Sequence, residues 1–263
     1  TVNPASIAIC NGASATLTAS GATGYVWSNA SNTTAITVWP AITTSYSVTG
    51  TDANGCTGTA SSSVAVNPLP TVSVNPVSPA ICNGDNTTLT ASGATSYVWS
   101  NAANTAVITV APGTTTSYSV TGTDANGCTG TSSATVNVNP LPTVTINPIS
   151  PAICSGASAT LTAGGDVSYA WSNAATSAAV TVSPVATTAY SITGTDVNGC
   201  TATASATITV NPLPTVTVNP ASIAICNGAS ATLSVAGANT YVWNTTDITS
   251  AITVSPSSAT TYS

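Results

Sequence analysis

The sequence predicts an all-β protein made of tandem β-sandwich domains. Three observations carry that prediction: a 72-residue internal repeat, short runs in which apolar and hydroxyl residues alternate, and a composition stripped of helix formers. Cys10, Cys82, Cys154 and Cys226 stand 72 residues apart, as do Cys56, Cys128 and Cys200. Trp27, Trp99, Trp171 and Trp243 keep the same step, and so do Tyr25, Tyr97, Tyr169 and Tyr241. Frames therefore run 1–72, 73–144, 145–216 and 217–263. A fixed step of this kind marks an array, and a unit of this length can hold a small core of its own. The last frame stops just past Tyr262, and we take its missing second cysteine to be the reason for the odd total of seven. The chain opens on Thr-Val-Asn-Pro and reads as a piece of something longer.

Within the first frame, Ser6 to Ile9 runs into a Cys10-Asn11-Gly12 turn. Ala15-Thr16-Leu17-Thr18-Ala19 alternates apolar and hydroxyl side chains, which fits a half-buried strand with Leu17 inward. Ser20-Gly21-Ala22 breaks it, and Tyr25-Val26-Trp27 begins the next. Ala35-Ile36-Thr37-Val38 alternates again and ends at Pro40. Ser45 to Thr49 follows, then Asp52-Ala53-Asn54-Gly55, whose Asn-Gly signals a hairpin. Ser63-Val64-Ala65-Val66 closes the unit. Glu, Gln, Lys and Met are absent while Thr, Val, Ile and Tyr abound. Six or seven short, evenly spaced strands argue a sandwich.

Composition also excludes functions. There is no Lys, Arg or His, and the six acidic residues (Asp52, Asp85, Asp124, Asp166, Asp196 and Asp247) give a net charge of −6. Nucleic-acid phosphates and anionic lipid surfaces both require cations that this chain lacks. Acid–base catalysis leans on His, Glu or Lys, so the expectation is a non-enzyme with no cofactor and no bound metal. The hydrophobic fraction of 43% sets it apart from disordered chains. Apolar runs are far shorter than the ~18 residues of a spanning helix, so no membrane insertion is expected.

Asn-Pro-Leu-Pro at 67–70, 139–142 and 211–214 marks the joints, with domains at 1–68, 69–140, 141–212 and 213–263. Proline fixes φ and stops a sheet from continuing, so joints this short should be semi-rigid and the array an extended rod. The succession Cys-Asn-Gly, Leu-Thr-Ala, Tyr-Val-Trp-Ser-Asn, Thr-Gly-Thr-Asp-Ala-Asn-Gly-Cys and Val-Asn-Pro-Leu-Pro resembles the immunoglobulin-like or PKD-like repeats of large Bacteroidetes surface proteins. Those proteins leave the cell by the type IX route and include gliding and adhesion proteins. Tyr25 and Trp27 match the Tyr-x-Trp of PKD-like strands, but the Asp-Gly-rich signature that usually follows is absent. The resemblance covers the whole chain, implies cell-surface or filament work, and supplies no catalytic residues.

Candidate sites are few. Cys10 with Cys56, Cys82 with Cys128 and Cys154 with Cys200 are expected to form one disulfide per domain, each contributing about 4 kcal/mol through the unfolded state. That places the chain outside the reducing cytoplasm, extracellular or at the cell surface. Two cysteines without His cannot complete a zinc shell within a domain. Asp52, Asp124 and Asp196 recur in Asp-x-Asn-Gly-Cys. Calcium is one reading, but one carboxylate per repeat is far too few, and an Asx turn that leaves Asn-Gly at positive φ is preferred. Trp27 and its counterparts should be core. Trp39 occurs once, where other frames carry Ala111, Ser183 and Ser255, and should point outward; sporadic variation is the plainer reading and a contact to a neighbouring chain or a sugar the sharper one. Asn29, Asn32, Asn86 and Asn244 begin glycosylation sequons that do not follow the period. Sheet edges are normally guarded by charge, especially Lys. With none available, either covalent glycans coat the surface or the edges pair with other copies of the chain in a filament. The expected function is an extracellular structural array, a filament or stalk, with a glycan- or surface-binding adhesin module as the alternative.

Overall fold

A computed structural model describes residues 1–263 as strands, turns and loops with no helix. The chain divides into two compact units, Thr1–Leu141 and Pro142–Ser263.

The first unit holds two sandwiches. In repeat 1 the strands are β1 (Val2–Asn3), β2 (Ser6–Cys10), β3 (Ala15–Ala19), β4 (Gly24–Trp27), β5 (Ala35–Val38), β6 (Thr44–Thr51) and β7 (Thr57–Asn67). They form a three-stranded sheet in the order β1-β3-β5 and a four-stranded sheet in the order β2-β7-β6-β4. All pairs are antiparallel except β2 with β7, which run parallel with Cys10 beside Asn67. The alternation in β3 does what its sequence dictates: Ala15, Leu17 and Ala19 are buried and the threonines face out, where Thr16 Oγ1 meets Thr37 Oγ1 across the strand pair at 3.2 Å. Leu17, Val48, Val64 and Trp27 fill the space between the sheets. Burying that indole needs a partner for its N–H, and Nε1 donates to the Thr33 carbonyl at 2.8 Å. The Tyr25 hydroxyl closes the preceding turn by accepting from Ala22 N–H and donating to Ala22 C=O.

Repeat 2 reproduces this with β8 (Ser73–Asn75), β9 (Ala80–Cys82), β10 (Thr87–Ser92), β11 (Ser96–Trp99), β12 (Val107–Val110), β13 (Thr116–Thr123) and β14 (Thr129–Asn139). Its sheets are β12-β10-β8 and β11-β13-β14-β9, packed around Leu89, Trp99, Val120 and Val136. Between β7 and β8 lies the Pro-Leu-Pro segment, whose missing N–H groups end the ladder.

In the second unit, repeat 3 comprises β15 (Thr145–Asn147), β16 (Ala152–Cys154), β17 (Ala159–Gly164), β18 (Ser168–Trp171), β19 (Ala179–Val182), β20 (Thr188–Thr195) and β21 (Thr201–Asn211). The sheets are β15-β17-β19 and β16-β21-β20-β18, around Leu161, Trp171, Ile192 and Ile208. Repeat 4 has a single sheet, β22 (Thr217–Asn219), β23 (Ala231–Ala236) and β24 (Ala251–Val254), with a small buried cluster of Leu233, Trp243 and Ile252. The architecture is therefore all-β, a tandem series of immunoglobulin-like sandwiches.

Candidate functional site: the cross-repeat cysteines

Strand pairing fixes where each cysteine stands. Cys10 ends β2 and lies beside Asn67, at the outgoing end of repeat 1 where β7 leaves for the joint. Cys56 directly precedes Thr57, at the other end of the 11-residue β7. At about 3.3 Å per residue the two are some 36 Å apart, whereas a disulfide needs Cα atoms within about 7 Å. The expected Cys10–Cys56 bond is thus geometrically impossible, and the same strand length rules out Cys82–Cys128 and Cys154–Cys200. Instead Cys10 bonds to Cys128 of repeat 2, with Cα atoms 5.5 Å apart and a sequence separation of 118. Cys128 follows the β13–β14 hairpin tip, and Gly130, two residues on, lies against the Pro70 carbonyl of the incoming joint. The bridge therefore crosses the joint, from the outgoing end of one repeat to the incoming end of the next. Cys82 and Cys200 are also disulfide-bonded. Cys56, Cys154 and Cys226 are exposed thiols.

The Asp-x-Asn-Gly-Cys segments are backbone devices. Asp52 Oδ1 accepts from the N–H of Asn54 at 2.8 Å and of Cys56 at 2.9 Å. Asp124 and Asp196 repeat both bonds. Asp52 N–H donates to Cys56 C=O, which closes a three-residue hairpin loop. Only its glycine has positive φ, at 84° for Gly55, so the expectation of a left-handed Asn as well is corrected. A turn followed by one left-handed residue is the usual solution for a loop of this length. The carboxylate thus positions the cysteine that follows it.

A second left-handed position falls on a residue with a side chain. Ala30, Ala102 and Ala174 each have φ of 66°, and Thr246 has 72°. Each follows Trp-Ser-Asn or Trp-Asn-Thr and donates its N–H to the tryptophan carbonyl. Asn29 and Asn244 lie in this turn of repeats 1 and 4, and Asn32 and Asn86 lie in other exposed loops. Trp39 is 67% exposed, unlike Trp27 and its counterparts, which are buried. Asp166 is a departure from the repeat that sequence reasoning passed over. It replaces the alanine found at positions 22, 94 and 238, and both of its carboxylate oxygens are buried with no hydrogen-bond partner.

The joint residues pack on glycines of the repeat they enter. In repeat 2, Val72 covers Gly122 and Pro70 covers Gly130; a Cβ on Gly122 would lie 2.7 Å from Val72 Cγ2. Val144 covers Gly194 in the same way in repeat 3. A cavity of about 340 Å³ in repeat 1 is lined by Thr1, Tyr25, Gly50, Asp52, Cys56 and Gly58 among others.

No protein-family model matches the sequence, and comparison with curated proteins finds no match. Among solved structures the chain is similar to the I67–I69 fragment of the titin I-band, at 13% identity over 78% of this chain and 95% of that one, with a TM-score of 0.37. It is also similar to a Ca²⁺-stabilized ice-binding adhesin of an Antarctic bacterium, at 18% identity over 94% and 85% of the two chains, with a TM-score of 0.33. A third is part of a 1.5-MDa bacterial ice-binding adhesin, at 18% identity over 78% and 94%, with a TM-score of 0.31. At such identities and scores these likenesses do not bear on what this chain does. No helix is long and apolar enough to cross a membrane.

Proposed function

We propose that this chain is a non-enzymatic, extracellular structural array, a length of cell-surface filament or stalk whose successive domains are 1–68, 69–140, 141–212 and 213–263. The observation that carries the reading is the Cys10–Cys128 bridge. A disulfide inside one domain would serve that domain's stability alone. One that crosses a joint holds two domains in a fixed succession, which is what an array needs and a set of independent binding modules does not. Disulfides persist in oxidising compartments, and the resemblance to Bacteroidetes surface repeats points the same way. The four exposed sequon asparagines offer places for a glycan coat on a surface with no cations. Electron microscopy of the native full-length protein tests the reading. Threads with a repeating domain unit on the cell exterior, carrying density beyond the protein, are expected. A protein found only inside the cell, or as compact particles, would overturn it.

A second reading, an adhesin module that binds glycans or surfaces, is favoured by Trp39 alone, a large apolar side chain exposed at a position where the other repeats carry Ala or Ser. Retention on immobilised carbohydrate that Trp39→Ser abolishes would support it.

A further inference from the structure

Asn-Gly occurs six times, at 11–12, 54–55, 83–84, 126–127, 198–199 and 227–228. All six asparagines are exposed, all six glycines have positive φ, and a β-carbon built on any of these glycines would meet nothing within 4 Å. Hydrogen bonding alone divides them into two classes. In the Asp-x-Asn-Gly-Cys hairpins the glycine N–H is held: Gly55 donates to the Asp52 carbonyl at 3.1 Å, and Gly127 and Gly199 donate to those of Asp124 and Asp196 at 3.2 Å. The preceding asparagine is tied as well, its N–H bonded to the aspartate Oδ1. In the turns after Cys10, Cys82 and Cys226 the closing bond comes one residue later. Ala13, Asp85 and Ala229 donate to those cysteine carbonyls at 2.9 Å, and the N–H groups of Gly12, Gly84 and Gly228 donate to nothing. Repeat 3 makes the same turn with Ser155-Gly156, closed from Ala157 N–H to Cys154 C=O, so the turn itself does not require asparagine.

We infer that Asn11, Asn83 and Asn227 are sites of spontaneous deamidation, with water as the only co-reactant, and that Asn54, Asn126 and Asn198 are protected by their hairpins. At the first site the Gly12 nitrogen gives its proton to solvent and attacks the side-chain carbonyl carbon of Asn11. The amide nitrogen takes up a proton and leaves as ammonia, closing a cyclic imide. Water then opens either imide carbonyl, which gives an aspartate or an isoaspartate whose main chain runs through the β-carbon. One water is consumed, one ammonia is released, and a neutral amide becomes a carboxylate. A glycine N–H bonded within its loop must first break that bond to react. The open sites have telling neighbours. Asn11 N–H donates to Asn67 C=O at 2.8 Å and Asn83 N–H to Asn139 C=O at 2.9 Å, at the last residues of β7 and β14. Asn11 also adjoins the cysteine bridged to Cys128. An isoaspartate there adds a carbon to the main chain of the turn and a negative charge beside the joint. Ageing of the chain therefore falls on these turns and spares the hairpins, and this does not rest on the array reading.

The test incubates the intact, disulfide-bonded chain in mildly alkaline buffer made with heavy-oxygen water. Chymotryptic peptides are then read by mass spectrometry, with electron-transfer fragmentation to distinguish isoaspartate. Heavy oxygen and isoaspartate should appear at Asn11 and Asn83 about tenfold faster than at Asn54 and Asn126, the factor set by breaking roughly one hydrogen bond. In the reduced, urea-unfolded chain the six rates should converge, because Asn-Gly is common to all. Asn11→Ser, which installs the residue repeat 3 uses, should silence the first site and leave Asn83 unchanged. Asp52→Ala, which unties Asn54 and Cys56 from the carboxylate, should raise the Asn54 rate toward that of Asn11. Equal rates in the folded chain, inert Asn11 and Asn83 in a chain that converts when unfolded, or an Asn54 rate indifferent to Asp52→Ala would each overturn the inference.

Discussion

Asp166→Ala should stabilise the third repeat. The carboxylate lies beside Gly194 and Val144 with both oxygens buried and unpartnered. Its backbone N–H and C=O keep their bonds to the Tyr169 hydroxyl, as Ala22 and Ala94 do with Tyr25 and Tyr97. The substitution therefore removes only the misplaced carboxylate, leaving the residue that three sibling repeats already use. A buried polar group without a partner costs about 1–3 kcal/mol, and the β-carbon that remains keeps the local packing. In a domain of roughly 70 residues, 1 kcal/mol moves Tm by about 4–8 °C. Hydrogen exchange followed by mass spectrometry isolates the repeat concerned. Peptides from β17, β20 and β21 should exchange about 5- to 150-fold more slowly, since each 1.4 kcal/mol is tenfold, while those from β3, β6 and β7 do not change. The reciprocal variant Ala94→Asp should destabilise repeat 2 by a similar amount. Unchanged or faster exchange in Asp166→Ala would refute the reasoning and show that the carboxylate has a partner of its own.

Other predictions follow from the same geometry. Cys10→Ser should release Cys128 as a reactive thiol and lower the melting temperature of the first unit, with an upper bound near 5 kcal/mol for a loop of 118 residues. Cys56→Ser should leave calorimetry of the monomer unchanged, the opposite of what intra-repeat pairing requires. Ala30→Gly, Ala102→Gly and Ala174→Gly each relieve a left-handed alanine and should each stabilise by about 1 kcal/mol in urea titrations. Trypsin should leave the chain intact even in denaturant, because there is no Lys or Arg to cut after; fragments from pure protein would contradict this.

Much of the sandwich was legible because its signals are local. Alternation gave β3 and β5 and their inward faces, and the inert spacing of Trp27 in each repeat gave the core. The ends of the long strands were not legible: β7 runs from Thr57, well before the apolar alternation at Ser63 begins, because Thr57 to Ser61 extend the ladder with β6 and the one fully buried side chain of that stretch, Ser62, is polar. That extra length carried the disulfide error. Matching cysteines within a frame is sound only if they share an end of the domain, and the parallel pairing of β2 with β7 that sets them at opposite ends leaves no mark in a single sequence. Asp166 was countable as one of six acids, but its lack of a partner depends on Gly194 and Val144, which are distant in the chain. The turn role of Asp52, by contrast, was readable, since its partners lie two and four residues away.

The bridge from Cys10 to Cys128 also decides how the first unit behaves when it is pulled. Tension applied at its two ends travels along the chain to Cys10, passes through the sulfur atoms, and resumes at Cys128. The backbone between those cysteines, including most of both cores, lies off the load path. Were it free to unravel, that stretch would pay out about 400 Å of slack at roughly 3.4 Å per residue. With the bridge intact, only the short segments outside it can lengthen. Such a unit under load is nearly inextensible until a thiol reductant is supplied, and its compliance is set by redox chemistry before the strength of its sheets is tested.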